Sequence, residues 1–170
     1  MNRICKWDEM WKSENLSKVG NEFLKRERFW NPDAQKDWKK ITKIMNHYYT
    51  GYELEKYVYE HCPEVKPVDP DWEYLCEMDK PGQHTFDCYF NGVSADVKSC
   101  YLNEMKKYKK GYIYLSAPNY KTLDEIMHGA EIIISKVGDR IAYAQVKNNI
   151  VVKVGYYLYY KFPIMGYIGG

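Results

Sequence analysis

The sequence predicts a mixed chain: a helical extension over residues 1–45, then an α/β or α+β domain over residues 46–170 with a central mixed sheet flanked by helices. Three observations predict this. Apolar residues recur at helical spacing up to about residue 61. Pro63, Pro67 and Pro70 then impose an irregular link. Beyond Trp72, short strand-like runs are separated by the turn dipeptides Pro81-Gly82, Asn91-Gly92, Gly138-Asp139 and Asn148-Asn149. The order helices, strands, helix, strands is that of a layered domain around a sheet.

Each element has its own signal. Trp7, Met10, Trp11, Leu16, Val19, Phe23 and Leu24 repeat with a period of about 3.6 residues, so the N-terminal stretch reads as helical. Asn31-Pro32-Asp33 breaks it, and Asn31 or Asp33 is placed to cap a second helix over 35–46. A third helix is expected over 49–61, with Tyr52, Leu54, Tyr57, Val58 and Cys62 as its apolar face. Strands are expected over 72–78, 84–91, 93–101, 111–117, 131–137, 140–147 and 150–162, with a short helix over 121–130. Helices bearing Trp and Met on one face usually bury it, so the extension is expected to pack on the core or to form a homodimer.

Hydrophobic content of 45% and charged content of 28% are those of an ordinary globular chain. The 18 tyrosines fit half-buried strands better than a surface for stacking bases. No apolar run approaches the roughly 20 residues that span a bilayer, and the N-terminus has no apolar signal core. Cys5, Cys62, Cys76, Cys88 and Cys100 are odd in number and include no CxxC pair, which fits free thiols in a reducing cytoplasm. His61, Cys62, Cys76 and His84 offer zinc-binding residue types at no standard zinc spacing. Charge is uneven. Residues 61–97 hold 8 acidic and 2 basic side chains, and residues 98–170 hold 11 basic and 5 acidic. An acidic patch beside a basic one suits a cation and a polyanion; a mixed solvated surface reads equally well.

The most informative stretch runs from His84 to Ser99. Asn91-Gly92 favours a two-residue type I′ turn. That turn would pair Phe90 with Val93, Tyr89 with Ser94, Cys88 with Ala95, Asp87 with Asp96, and Phe86 with Val97. Side chains alternate along a strand. One face then carries Phe86, Cys88, Phe90, Val93, Ala95 and Val97, all apolar. The other carries Asp87, Tyr89, Ser94, Asp96 and Lys98. Two carboxylates directly opposed are destabilising. A divalent cation between them converts repulsion into coordination, because hard oxygen ligands suit Mg²⁺ or Mn²⁺. The triplet acid-x-Lys is uninformative alone, since it occurs four times, starting at Asp37, Glu64, Asp96 and Glu104. Only the Asp96 copy lies in a clear strand with a second acid fixed opposite.

Asp87, eight intervening residues, then Asp96-Val97-Lys98 resembles the signature of the PD-(D/E)XK nuclease superfamily, whose fold is restriction-endonuclease-like. The resemblance spans residues 48–147. It implies a helix before the hairpin bearing a metal-side glutamate in a G-x-x-x-E setting; Gly51 to Glu55 is similar, with Glu53 as the alternative. It implies a further strand, helix and strand after the lysine, for which 111–117, 122–128 and 131–137 stand ready. Asp87 follows Phe86 where the family often has proline, and no helix motif after the lysine names a subfamily.

The resemblance implies phosphodiester hydrolysis, most often of DNA. Asp87, Asp96, the Val97 carbonyl and Glu55 would hold Mg²⁺, with Mn²⁺ able to substitute. Lys98 would orient the attacking water or offset developing charge. Lys106, Lys107, Lys109 and Lys110 follow directly and are candidates for nucleic-acid phosphate contacts, or a solvated basic turn. Size and the lack of a separate specificity domain are compatible with a phage or mobile-element enzyme. The competing readings are a nuclease acting on RNA, and a module of the same fold that binds nucleic acid or protein without cleaving.

Overall fold

The computed structural model describes residues 2–78, 85–100, 111–118 and 120–169. Its elements in chain order are β1 (Arg3–Lys6), α1 (Ser13–Trp30), α2 (Trp38–His61), β2 (Val65–Pro67), β3 (Tyr74–Cys76), β4 (Cys88–Phe90), β5 (Val93–Val97), β6 (Tyr112–Pro118), α3 (Leu123–Met127), β7 (Ile132–Val137), β8 (Arg140–Gln145), β9 (Ile150–Val154), β10 (Tyr157–Pro163) and β11 (Gly166–Ile168). The chain is a mixed α/β protein that divides into two compact units, Met1–Glu53 with Pro70–Gln83, and Leu54–Asp69 with His84–Gly170. The boundary falls within α2. No helix among the described residues is long and apolar enough to cross a membrane.

In the first unit, α1 and the start of α2 close over a core of Met10, Val19, Phe23, Ile41, Met45 and Leu75. The N-terminus is not helical from its start. Arg3–Lys6 forms a strand that pairs antiparallel with Tyr74–Cys76. Arg3 closes that pairing by an ion pair to Asp71 and lies over the Tyr74 ring at 4.1 Å. The helices expected over 35–46 and 49–61 are one continuous helix. A lone glycine costs a helix only about 1 kcal/mol, so Gly51 does not stop it.

The second unit contains a six-stranded mixed sheet in the order β11-β8-β7-β5-β4-β2 and a three-stranded sheet in the order β6-β10-β9. In the larger sheet only β5 and β7 run parallel. Parallel neighbours need a long crossover, and the chain from Lys98 to Glu131 supplies it, with β6 and α3 along the way. Strand β7 explains the layering. Ile132 and Ile134 point to one side, into a core with Val58 of α2, Cys62 just after it, and Cys88, Ala95 and Val97 of the hairpin. Ile133 points to the other side, with Ala142, Ala144, Met127, and Ile113, Tyr160 and Phe162 of the smaller sheet. A strand buried on both faces reads as a continuous apolar run, which is why residues 131–137 were recognisable.

The sheet was expected between helices. One face does carry the end of α2. The other is covered mainly by the three-stranded sheet, with α3 as a five-residue helix. The cause is in β6 and β10, where Ile113, Leu115 and Ala117 and then Leu158, Tyr160 and Phe162 alternate at period two. The run expected as one strand over 150–162 is a hairpin, turned at Gly155 with φ 61°. Helix α3 is trimmed at both ends: the Thr122 hydroxyl accepts from the Glu125 N–H, and His128 adopts φ 54°.

Candidate active site

The hairpin sets the geometry. Asn91 and Gly92 have φ 47° and 81°, the two left-handed residues of a type I′ turn. The ladder then pairs Phe90 with Val93, Tyr89 with Ser94, and Cys88 with Ala95, in the register the turn dictates. Beyond Cys88 the backbone ladder stops. Two side chains replace its rungs: the Asp87 N–H donates to Asp96 Oδ1 at 3.0 Å, and the Val97 N–H donates to Asp87 Oδ2 at 2.9 Å. Each acid thus caps the other's strand.

The polar face of this hairpin is not a solvent face throughout. Asp96 lies in parallel register with Ile133, on the side of β7 covered by the smaller sheet, and is only 1% exposed. Its second oxygen, Oδ2, has Lys98 Nζ at 3.0 Å as an ion-pair partner, but no hydrogen-bond donor is aligned on it. The Lys98 backbone N–H is fixed to the Ile134 carbonyl at 2.9 Å, so the lysine is anchored to β7 at its base.

Helix α2 adds a third acid. Glu55 lies near Asp87 and Asp96, close enough for their charges to act on it. Burial pushes the Glu55 carboxyl well above the usual carboxylate range, the charges of Asp87 and then Asp96 add to the rise, and Lys98 opposes it. Asp96 is raised for the same reason, burial first and Asp87 second, with Lys98 again lowering it. Three carboxylates and one ammonium at one buried place cannot all stay ionised, so the cluster holds protons or a cation. Glu53 is exposed. Two residues along a helix are about 200° apart around its axis, so Glu53 and Glu55 cannot share a side.

Tyr59 and Cys88 belong to this site and were not singled out by the sequence. The Tyr59 hydroxyl donates to the Asp87 carbonyl at 3.4 Å, and burial, followed by the charge of Glu55, holds the phenol far above its ordinary range. The spacing Glu55 to Tyr59 is i, i+4, which places both on one side of α2 and was a usable signal. Cys88 points into the core, with its thiol donating to the Ala95 carbonyl at 3.6 Å and pushed strongly up by burial.

The other candidates are dispersed. Lys106, Lys107, Lys109 and Lys110 lie outside the described residues, as does His84. His61 is exposed, its Nδ1 2.8 Å from the Tyr57 carbonyl, and Cys62 is a core residue. Among the described residues no group of three or more His, Cys, Asp or Glu stands ready to hold a metal ion. Glu55, Asp87 and Asp96 nevertheless match the donor chemistry of a hard divalent cation. Asp96 Oδ2 is a buried oxygen lacking a hydrogen-bond donor.

No family model, no curated protein and no solved structure matches this chain.

Proposed function

We propose that the chain is a divalent-metal-dependent phosphodiesterase acting on nucleic acid, with DNA favoured as the commoner substrate of the PD-(D/E)XK superfamily that its motif resembles. The observation that carries the reading is the gathering of Glu55, Asp87, Asp96 and Lys98 from a helix and two strands into one largely buried cluster with too many carboxylates for its cations. The order of helix α2, hairpin, β6, α3 and β7 also suits the restriction-endonuclease-like arrangement the motif implies. Asp87, Asp96 and Glu55, with the Val97 carbonyl, would hold Mg²⁺ or Mn²⁺. The bound ion supplies a water of lowered pKa and offsets charge on the phosphate. Lys98, anchored at its backbone and paired with Asp96, is positioned to hold the attacking water or the charged phosphate oxygen. Tyr59 steadies the Asp87 backbone.

The test is incubation with single-stranded, duplex, nicked and branched DNA, and with RNA, each with and without Mn²⁺. Metal-dependent cleavage that disappears in Lys98→Ala is expected. Cleavage undiminished in Asp96→Ala or Lys98→Ala sinks the assignment.

A specific observation favours a second reading, a module that binds nucleic acid or protein without cleaving. Asp87 and Asp96 already have structural work, because their carboxylates complete the end of the hairpin. Calorimetry separates the two. A site that binds Mn²⁺ with release of protons, and loses the heat in Asp87→Asn, belongs to the enzyme. A flat titration belongs to the binding module.

A further inference from the structure

Strand β7 runs Ile132-Ile133-Ile134-Ser135, and its serine is as deeply buried as its isoleucines. Among the described residues the Ser135 hydroxyl oxygen has no hydrogen-bond partner. A buried hydroxyl without a partner costs free energy, so its neighbours decide what it is for.

The register names those neighbours. Strands β5 and β7 run parallel, with Asp96 beside Ile133 and Val97 beside Ile134. The Lys98 N–H donates to the Ile134 carbonyl, the slanted bond that sets Lys98 beside Ser135. Side chains alternate along a strand, so Ser135 shares its face with Ile133, Asp96 and Lys98. On its other flank β8 presents Ala142, whose methyl offers no hydrogen bond. Cys100 is near enough for Ser135 to act on its thiol, which burial raises and the Tyr114 N–H and Ser135 lower. A thiol is a weak donor and leaves the serine oxygen largely unused. The strong donor beside Ser135 is Lys98.

The Lys98 ammonium lies 3.0 Å from Asp96 Oδ2, an oxygen that a divalent cation would also take. An ammonium and a metal cation on one buried oxygen repel each other. The Lys98 backbone is tied to β7, but its stem is flexible and its three N–H donors can be re-aimed. Ser135 offers an unused acceptor on the same face.

We propose that Ser135 is a positioning residue of the carboxylate cluster, holding the Lys98 ammonium when a divalent cation takes Asp96. This role rests on the phosphodiesterase reading and gives Lys98 a fixed place from which to meet water or phosphate. Without the hydroxyl, the ammonium stays against the cation or lies unpaired, and cation binding weakens.

Calorimetry of the full chain with Mn²⁺ and no substrate tests it in the wild type, Ser135→Ala, Lys98→Ala and the double variant. Ser135→Ala weakens Mn²⁺ binding by about tenfold or more, the scale of one hydrogen bond to a charged group. Lys98→Ala binds Mn²⁺ at least as tightly as the wild type, and adding Ser135→Ala to it changes nothing further. In urea without metal, Ser135→Ala unfolds at a midpoint no lower than the wild type, because the lost hydroxyl made no bond there. A lowered midpoint, or equal weakening with and without Lys98, overturns the proposal. Unchanged Mn²⁺ affinity in Ser135→Ala beside normal cleavage overturns the role of Ser135 and leaves the phosphodiesterase reading. Mn²⁺ bound with the expected dependence on Ser135 and Lys98, but no DNA or RNA cut, does the reverse. No Mn²⁺ binding by the wild type removes both.

Discussion

Each unit contains a buried acid, and the two differ in the charges that surround them. Glu22, in α1 of the first unit, is 6% exposed. Its Oε1 accepts the Met78 N–H at 2.8 Å and faces Arg26 Nε at 3.4 Å, one helical turn away. Arg26 in turn donates to the Cys76 carbonyl and lies over the Phe23 ring at 4.9 Å. Asp96, in the second unit, also accepts a backbone N–H and faces a cation, Lys98 Nζ at 3.0 Å, but it lies beside Asp87 and Glu55 as well. A buried charge with its own cation and donor is compensated, and removing either partner is destabilising. A buried acid placed against two more acids raises the energy of the folded chain unless a proton or cation joins them. The first arrangement is structural. The second is the kind of arrangement in which functional sites perturb their acids.

The largest expected contrast is in activity. Asp96→Asn should lower metal-dependent cleavage by on the order of 10²–10³-fold or more, the scale seen when one charge-stabilising group is removed. Glu22→Gln should leave it unchanged. Equal loss in both, measured by initial rates on the same substrate, breaks the contrast.

Stability should respond the other way. Glu22→Ala leaves the Met78 N–H without its acceptor and Arg26 without its partner, at a cost of about 1–3 kcal/mol in denaturant unfolding. Glu55→Gln supplies permanently the neutral form that burial and Asp87 impose on Glu55 in the folded chain, and should stabilise at neutral pH by about 1 kcal/mol. The sign follows from the raised folded pKa values of Glu55 and Asp96. Between the ordinary carboxylate value near 4 and those raised values, the native protein binds more protons than the unfolded chain. Stability contributed by these groups is therefore present at acidic pH and falls as pH rises through that window. Glu55→Gln should flatten the fall, and so should Mn²⁺. A wild type whose stability instead rises steadily from pH 5 to 8 contradicts the assignment.

The smallest effect belongs to Tyr59→Phe. It removes one long hydrogen bond to the Asp87 carbonyl, worth about 1 kcal/mol or less. It should change cleavage by a fewfold through positioning, with the pH profile unmoved. A loss as large as that of Lys98→Ala would place the phenol in the chemistry itself.

Much of the second unit was legible because its signals are local. Asn91-Gly92 fixes a turn, the turn fixes a register, and alternation then sorts Cys88, Phe90 and Ala95 from Tyr89, Ser94 and Asp96. Gly138 ended β7 as expected, with φ 65°. Pairings distant in sequence were not legible. Nothing in Arg3–Lys6 announces Tyr74–Cys76 as its partner, and the helical spacing of Trp7, Met10 and Trp11 masked the strand before them. Gly155 reads as part of one strand over 150–162 because the sequence does not say which glycines take positive φ. The burial of Asp96 was also hidden, since alternation along a strand does not say which face distant elements cover. The i, i+4 spacing of Glu55 and Tyr59 was visible but gained meaning only once Asp87 lay beside both.

The reciprocal rungs at Asp87 and Asp96 bear on how this scaffold can change its trade. An asparagine at either position keeps a carbonyl oxygen to accept the same backbone N–H, while losing the charge that draws a cation. The hairpin would close as before and the cluster would fall silent. On the phosphodiesterase reading, exchange of one oxygen for one nitrogen would turn a cleaving protein into a merely gripping one while the hairpin kept its rungs.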